Sequence, residues 1–132
     1  MIQIIKASVN QVAVTLTELS TLVNPYYLFE FQNDQDNTFQ YFIGTDLSLF
    51  PERFNLFNIE EKLLPNPLLG EVELELTGFY SYKIFEQLSS TNLNPALCDN
   101  LTPLELGKVL VIGTDEIKYT HDYNPDITVY NN

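Results

Sequence analysis

The sequence predicts an all-β fold, an antiparallel sandwich formed by residues 1–113 and followed by an extended C-terminal arm in residues 114–132. Short segments of alternating apolar and polar residues recur along the chain, and turn-forming residues separate them. No helical stretch of about 10 to 15 residues lies between them, as an α/β sheet would require. Eight Tyr and nine Phe add to the β propensity. A chain of 132 residues with this apolar content has the size of one domain.

Three strands are predicted near the start of the chain, over residues 12–17, 26–31 and 39–43. Residues 32–38, between the last two, are rich in Asn and Asp. These side chains hydrogen-bond to their own backbone and tolerate left-handed dihedrals. Residues 32–38 are therefore predicted to form a hairpin loop.

Two further strands are predicted in the middle of the chain. In residues 53–60 the apolar positions alternate imperfectly, which indicates a strand with a bulge. Residues 63–69 contain two prolines, which exclude a central strand. Residues 71–76 then alternate regularly, so that the acidic side chains face water. The side chains expected to face the core are Val72, Leu74 and Leu76.

The clearest strand pattern covers residues 79–87, where Tyr80, Tyr82 and Ile84 share one face at a period of two. A last strand is predicted over residues 108–112. Between these two segments lies a polar connection with Pro and Asn residues.

A local signature refines the fold class. Residues 76–82 resemble the immunoglobulin-type corner, in which a Tyr at the start of the penultimate strand hydrogen-bonds back to the preceding loop. Tyr80 is the corner residue in this comparison, and Tyr82 stands where antibody domains carry a Cys. The sequence has no Trp and only one Cys, so that the Cys pair of antibody domains is missing. The prediction is therefore an immunoglobulin-like β-sandwich in the broad sense.

The C-terminal stretch changes to polar residues with isolated aromatic and β-branched side chains. We predict that residues 114–132 form an arm that binds a partner, because isolated Tyr residues are favoured at interfaces and a short β-forming segment can add to a sheet edge. The alternative is that this segment is one more edge strand of its own sandwich. The candidate partner-binding residues are Tyr119, Tyr123, Ile127, Val129 and Tyr130.

Charge and composition exclude several classes of partner. A net charge of −12 repels phosphate backbones and anionic lipid, so no nucleic-acid or membrane partner is expected. No apolar run reaches the roughly 18 residues needed to cross a bilayer. Cys98 is the single cysteine, and the N-terminus lacks the pattern of a signal peptide. These features predict synthesis in a reducing cytosol.

The sequence offers little material for catalysis, and no catalytic residue, cofactor or metal site is expected. His121 is the only histidine, and Cys98 has no neighbouring cation that would activate its thiol. Asp34 and Asp36 resemble the start of a calcium loop, but the Gly and the final Glu of that motif are missing, which favours a plain turn. Glu73 and Glu75 belong to a solvated strand face. No Gly-rich phosphate loop is present.

Four segments carry a family resemblance. Residues 21–31, 50–55, 78–87 and 104–109 resemble small virion proteins of tailed bacteriophages, in particular those of the crAss-like phage group. The resemblance covers residues 1–113 and contains structural motifs without a chemical signature. It implies a non-enzymatic capsid auxiliary or decoration protein, made in the bacterial cytoplasm and located on the virion.

Two functions remain open under this resemblance. The first is binding to other virion proteins, above all the major capsid protein, with self-association as an additional contact. The alternative is a tail or fibre component that links subunits or binds a host glycan. A small hydrolase is disfavoured because no nucleophile and base pair is visible.

Overall fold

A computed structural model describes residues 1–113, which form an all-β fold of two facing sheets. The predicted arm and its candidate residues Tyr119, Tyr123, Ile127, Val129 and Tyr130 lie outside the described residues. Two short 3-10 helices, Pro67–Leu69 and Pro95–Leu97, lie in loops. The strands are β1 (Ile2–Ile5), β2 (Val9–Val14), β3 (Tyr26–Asn33), β4 (Phe39–Gly44), β5 (Asn55–Glu61), β6 (Glu71–Val72), β7 (Gly78–Gln87) and β8 (Glu105–Ile112).

One sheet has five strands in the order β1-β8-β7-β3-β4, and the other has three in the order β2-β5-β6. The prediction of an all-β fold is confirmed, but a wholly antiparallel arrangement is wrong. Strand β1 pairs with β8 in parallel, and β5 pairs with β6 in parallel. Each of these parallel pairs includes an edge strand, β1 in one sheet and β6 in the other. No crossover helix follows β1, because the chain passes from it directly into β2 of the other sheet.

Several predicted strand limits need correction. Strand β1 was not predicted, and β2 begins and ends three residues before the predicted segment 12–17. Strand β5 pairs with β2 in an unbroken register, so the bulge predicted in residues 53–60 is wrong. The alternation looked irregular because the polar Asn55 faces inward together with Phe57 and Ile59, whereas the apolar Leu56 lies on the other face.

The segment 71–76 is only partly the strand that alternation predicted. Val72 and Leu74 are buried as expected, but β6 ends at Val72 and Leu76 is exposed. Strands β3, β4 and β7 agree with the prediction within about two residues at each end. Tyr80, Tyr82 and Ile84 are buried on one face of β7, as the period of two predicted.

The core between the sheets is built around aromatic side chains. The Phe29 and Phe57 rings meet edge to face at 5.0 Å between centroids, and Phe29 stacks on Phe42 at 4.9 Å. Gly44 makes this packing possible, because a Cβ atom there would lie 2.7 Å from the ring of Phe29. Contacts of this kind between the sheets supply the apolar burial that stabilises the fold.

Candidate docking surface

The predicted corner is present at the start of β7. The Tyr80 hydroxyl donates a hydrogen bond of 2.8 Å to the carbonyl oxygen of Leu76, in the loop that precedes the strand. Tyr80 itself is buried, so the bond satisfies a hydroxyl that has left water. The corner therefore fixes the loop against the core and plays a structural part.

Of the two candidates for nucleophilic chemistry, only Cys98 can be located within residues 1–113. His121 lies outside the described residues. Cys98 is buried, and its thiol lies 3.5 Å from the Gln87 side-chain oxygen. Burial, followed by the negative charge of Asp99, raises the pKa of the Cys98 thiol, so the reactive thiolate is disfavoured.

The Asp-rich loop is a hairpin turn, as predicted, and it joins β3 to β4. Asn33 Oδ1 accepts hydrogen bonds from the backbone N–H groups of Gln35 and Asp36 at 2.7 and 3.0 Å. The Thr38 backbone N–H donates to Asp36, which lowers the pKa of that carboxyl. Lys108 contacts Asp34 at 2.6 Å and lowers its pKa in the same way. Protein groups thus engage both carboxylates.

Glu86 is fully buried on the inner face of β7 and binds the loop between β2 and β3. Its carboxylate accepts hydrogen bonds from the Ser20 hydroxyl at 2.6 Å, the Thr21 hydroxyl at 2.7 Å and Asn100 Nδ2 at 2.9 Å. The backbone N–H groups of Thr21 and Leu22 donate to it as well. Desolvation raises the pKa of Glu86, but these hydrogen bonds outweigh it and lower the pKa to about 2.

Glu61 has a similar structural part at the end of β5. One carboxylate oxygen accepts from the backbone N–H of Ala7 at 2.8 Å, and the other accepts from that of Leu74 at 2.9 Å. Each oxygen therefore holds a different loop. Glu73 is half-buried, and Glu75 is exposed, as predicted for the solvent-facing side. Among residues 1–113, no group of three or more His, Cys, Asp or Glu side chains is placed to hold a metal ion.

A cavity of about 490 Å³ opens at the end of the sandwich where β3 begins and β4 ends. Its lining includes Tyr26, Tyr27 and Asp46. The Asp46 carboxylate accepts hydrogen bonds from Asn55 Nδ2 at 2.7 Å and from the Leu56 backbone N–H at 3.0 Å. Among the lining residues within 1–113, Asp46 is the one carboxylate, and the fold holds both of its oxygens.

The most unusual surface feature is the loop between β5 and β6, which we call the leucine loop (residues 63–69). Leu63, Leu64 and Leu69 are exposed, and Leu64 exposes 92% of its surface. Leu64 also adopts a left-handed backbone conformation, with φ at 53°. Leucine rarely takes this conformation, because its Cβ atom crowds the backbone.

Hydrogen bonds hold the leucine loop in place. Asn66 caps the 3-10 helix Pro67–Leu69, its side chain accepting from the Leu68 backbone N–H at 3.1 Å. The Asn66 backbone N–H donates to Glu71 at 2.9 Å. Pro65 and Pro67 restrict the backbone further. The leucines are therefore presented on a constrained loop, which lowers the entropy lost when a partner covers them.

Carboxylates lie beside the leucine loop. Glu60 and Glu71 are direct neighbours in the register of β5 and β6. Lys62 approaches Glu71 at 3.8 Å. Glu73 and Glu75 continue the acidic row past β6. An apolar loop flanked by acids is chemically suited to a protein surface that has an apolar groove with basic side chains at its rim.

Other loops also expose large apolar side chains. Exposed apolar residues mark contact sites only where they cluster. Those in the loops around the cavity are Leu19, Val23, Leu47, Leu49 and Phe50, and those in the loop after β7 are Leu88, Leu97 and Leu101.

Comparisons with known proteins give little guidance on function. No family model and no curated protein matches the chain. Among solved structures, the chain is similar to a "putative glycoside hydrolase from Bacteroides vulgatus ATCC 8482", with 9% identity and a TM-score of 0.44. That match covers 86% of this chain but only 17% of the other protein. A likeness this distant carries no conclusion about activity. Separately, no helix within residues 1–113 has the length and apolarity needed to span a bilayer.

Proposed function

We propose that this chain is a non-enzymatic structural protein of a tailed-bacteriophage virion, a capsid auxiliary or decoration protein that binds the major capsid protein. The leucine loop is the observation that carries the proposal. Three leucines on this capped, proline-restricted loop are left exposed by the fold. Their apolar surface contributes binding energy when a partner surface covers them.

The arrangement of the polar side chains supports a role without catalysis. Glu61 and Glu86 are buried, and backbone or hydroxyl donors contact both oxygens of each carboxylate. A general acid or base has to reach a substrate proton. Carboxylates that hold loops in this way are unsuited to that task.

The immunoglobulin-like class belongs to the same proposal. The Tyr80 corner supports it. So does the five-stranded sheet in which the first strand lies beside the last, and the penultimate strand lies beside β3. A sandwich of this kind presents its loops at two ends and leaves them free to bind neighbouring subunits.

The direct test is binding of the full chain to capsids of the phage that encodes it, measured by co-sedimentation. Leu64→Asn should weaken binding by roughly tenfold or more, as expected for an interface anchor. Asn tolerates the left-handed conformation of residue 64, so the variant removes the apolar contact and keeps the loop. Leu101→Asn, at an exposed leucine of another loop, is the matched control. Equal binding by both variants and the original chain would contradict the proposal.

Copy number in purified virions separates the proposal from its alternative. A capsid auxiliary protein follows the symmetry of the head and is present in hundreds of copies, whereas a tail or fibre component is present in a handful. Quantitative mass spectrometry against the major capsid protein measures this ratio. A low ratio would favour the tail or fibre function, in which the cavity next to Tyr26 is the place to look for a glycan.

A further inference from the structure

The outer face of the five-stranded sheet is covered over only half of its length. At one end, Leu28, Ile43 and Phe85 form a second apolar cluster beneath Leu93 and Cys98 of the loop after β7. At the other end the same face exposes apolar side chains. These are Phe39 on β4, Phe79 on β7, and Leu106 on β8, which exposes 64% of its surface.

The strand register places these side chains in neighbouring rows of one surface patch, in which the buried Glu30 and the half-buried Ser81, Gln32 and Tyr41 lie between Leu106 and Phe39. Leu106 lies opposite Lys83, Lys83 lies opposite Glu30, and Glu30 lies opposite Tyr41. The neighbouring row is Lys108, Ser81, Gln32 and Phe39. Four adjacent strands at about 4.8 Å spacing make this patch about 14 Å wide. We call it the outer patch.

The outer patch differs in charge from the face of the other sheet. Its one charge without an ion-pair partner in residues 1–113 is Lys83, because Glu30 is buried and Lys108 and Asp34 pair with each other. The three-stranded sheet instead carries the acidic row that begins at Glu60. An acidic and apolar segment therefore suits the outer patch and is repelled by the other sheet.

Residues 114–132 have this chemistry. They contain four acids and one lysine, a difference of −3. Among them stand six apolar or aromatic side chains with polar residues between: Ile117, Tyr119, Tyr123, Ile127, Val129 and Tyr130. Such a mixture can cover exposed apolar side chains while its carboxylates approach Lys83.

The length and attachment point of this segment also fit. Strand β8 ends at Ile112, and its outward side chains, Leu106 and Lys108, are part of the outer patch. The segment starts directly after Gly113 and has 19 residues (132 − 113). At about 3.3 Å per extended residue it reaches about 60 Å, several times the width of the patch.

We propose that residues 114–132 bind the outer patch of their own chain in the free protein. The covalent link places the segment beside the patch at an effective concentration in the millimolar range. A segment from a second copy lacks this advantage and has to approach a molecule whose net charge is also −12. This binding depends on the outer patch and on residues 114–132, and it does not depend on which virion protein the chain contacts.

Zero-length carbodiimide coupling of the full chain tests the proposal, with an equal mixture of ¹⁴N- and ¹⁵N-labelled protein. Lys83 should be joined to one or more of the carboxylates Asp115, Glu116, Asp122 and Asp126, and both peptides should carry the same isotope. The Lys108–Asp34 and Lys62–Glu71 pairs, at 2.6 and 3.8 Å, are internal positive controls. Links between different isotopes, or control links without any link from the segment to Lys83, would overturn the proposal.

A pair of variants tests the apolar part of the contact. Leu106→Asn should lower the yield of the Lys83 link by roughly tenfold, which corresponds to about 1.4 kcal/mol of lost apolar contact. Leu49→Asn makes the same change at an exposed leucine in the loops around the cavity and should leave the yield unchanged. Equal yields from the two variants would show that the segment does not contact the outer patch.

Discussion

The loop between β2 and β3 and the leucine loop have opposite chemistry. The first carries Ser20 and Thr21, whose hydroxyl groups turn inward and donate to the buried carboxylate of Glu86. The leucine loop keeps its own polar bonds local and points Leu63 and Leu64 into water. Polar side chains thus hold the first loop to the interior, and apolar side chains cover the outside of the second.

This difference determines whether the side chains of each loop contribute free energy to folding or to binding. Hydrogen bonds to a buried charge stabilise the fold, and they are lost when the chain unfolds. Exposed leucines contribute little to folding, because the free energy of burying their apolar surface is gained only when a partner covers them. The two loops should therefore respond in opposite ways to substitution: changes at Glu86 should alter stability, and changes at Leu64 should alter binding.

The largest expected effect belongs to Glu86→Gln. The amide would bring an N–H group against donors that now bind a carboxylate oxygen, and it would remove the charge that strengthens those bonds. We expect the free energy of unfolding to fall by about 3 kcal/mol in urea denaturation. Glu75→Gln, at an exposed acid, should change it by less than about 0.5 kcal/mol. Similar midpoints for the two variants would remove the distinction between the loops.

Lowering the pH should reduce the free energy of unfolding in the same way as Glu86→Gln. The folded-state pKa of Glu86 is about 2 and the ordinary value is 4.5, so the unfolded chain binds the proton more tightly. The stabilisation from Glu86 is therefore present above pH 4.5 and is lost as the pH falls toward 2. A loss on the order of 2 to 3 kcal/mol should appear over this window in the original chain. In Glu86→Gln this part of the pH dependence should be absent, and an unchanged profile would contradict the assignment.

Tyr80→Phe should have a smaller effect of the same kind. It removes the hydrogen bond to the Leu76 carbonyl oxygen and leaves the ring in place. We expect a loss of about 1 kcal/mol without a change in the urea dependence of the unfolding free energy. Tyr26→Phe, at a more exposed tyrosine, is the control and should be nearly neutral. Equal stability of Tyr80→Phe and the control would mean that the corner bond is not formed in solution.

Alternation in the sequence predicted the strands whose inner faces are apolar. It identified β3, β4 and β7, because each has one side occupied by large apolar residues. It misread β5, since the polar Asn55 occupies an inward position and the apolar Leu56 an outward one, which breaks the apolar period. It missed β1, whose four residues are too few to show a pattern.

The surface and the buried charges were less accessible to sequence reasoning. Glu86 is buried because Ser20, Thr21 and Asn100 surround it, and no local pattern connects these distant positions. Two prolines excluded a central strand from residues 63–69, but the exposure of the leucines depends on how the loop crosses between β5 and β6. A run of leucines is by itself equally compatible with a core segment.

The smallest expected effect concerns whether the leucine loop is held in its conformation in solution. Leu64→Gly should relieve a left-handed conformation that costs leucine about 1 kcal/mol, while glycine adds unfolded-state entropy of about 0.5 to 1 kcal/mol. The two terms nearly cancel, so stability should be almost unchanged. Leu63→Gly, at an exposed neighbour without a positive φ, has only the entropic cost and should lose about 0.5 to 1 kcal/mol. Urea denaturation of the two variants measures the difference. Equal losses at both positions would show that residue 64 is not held left-handed, and the leucine loop would then lose the preorganisation that makes it suited to binding.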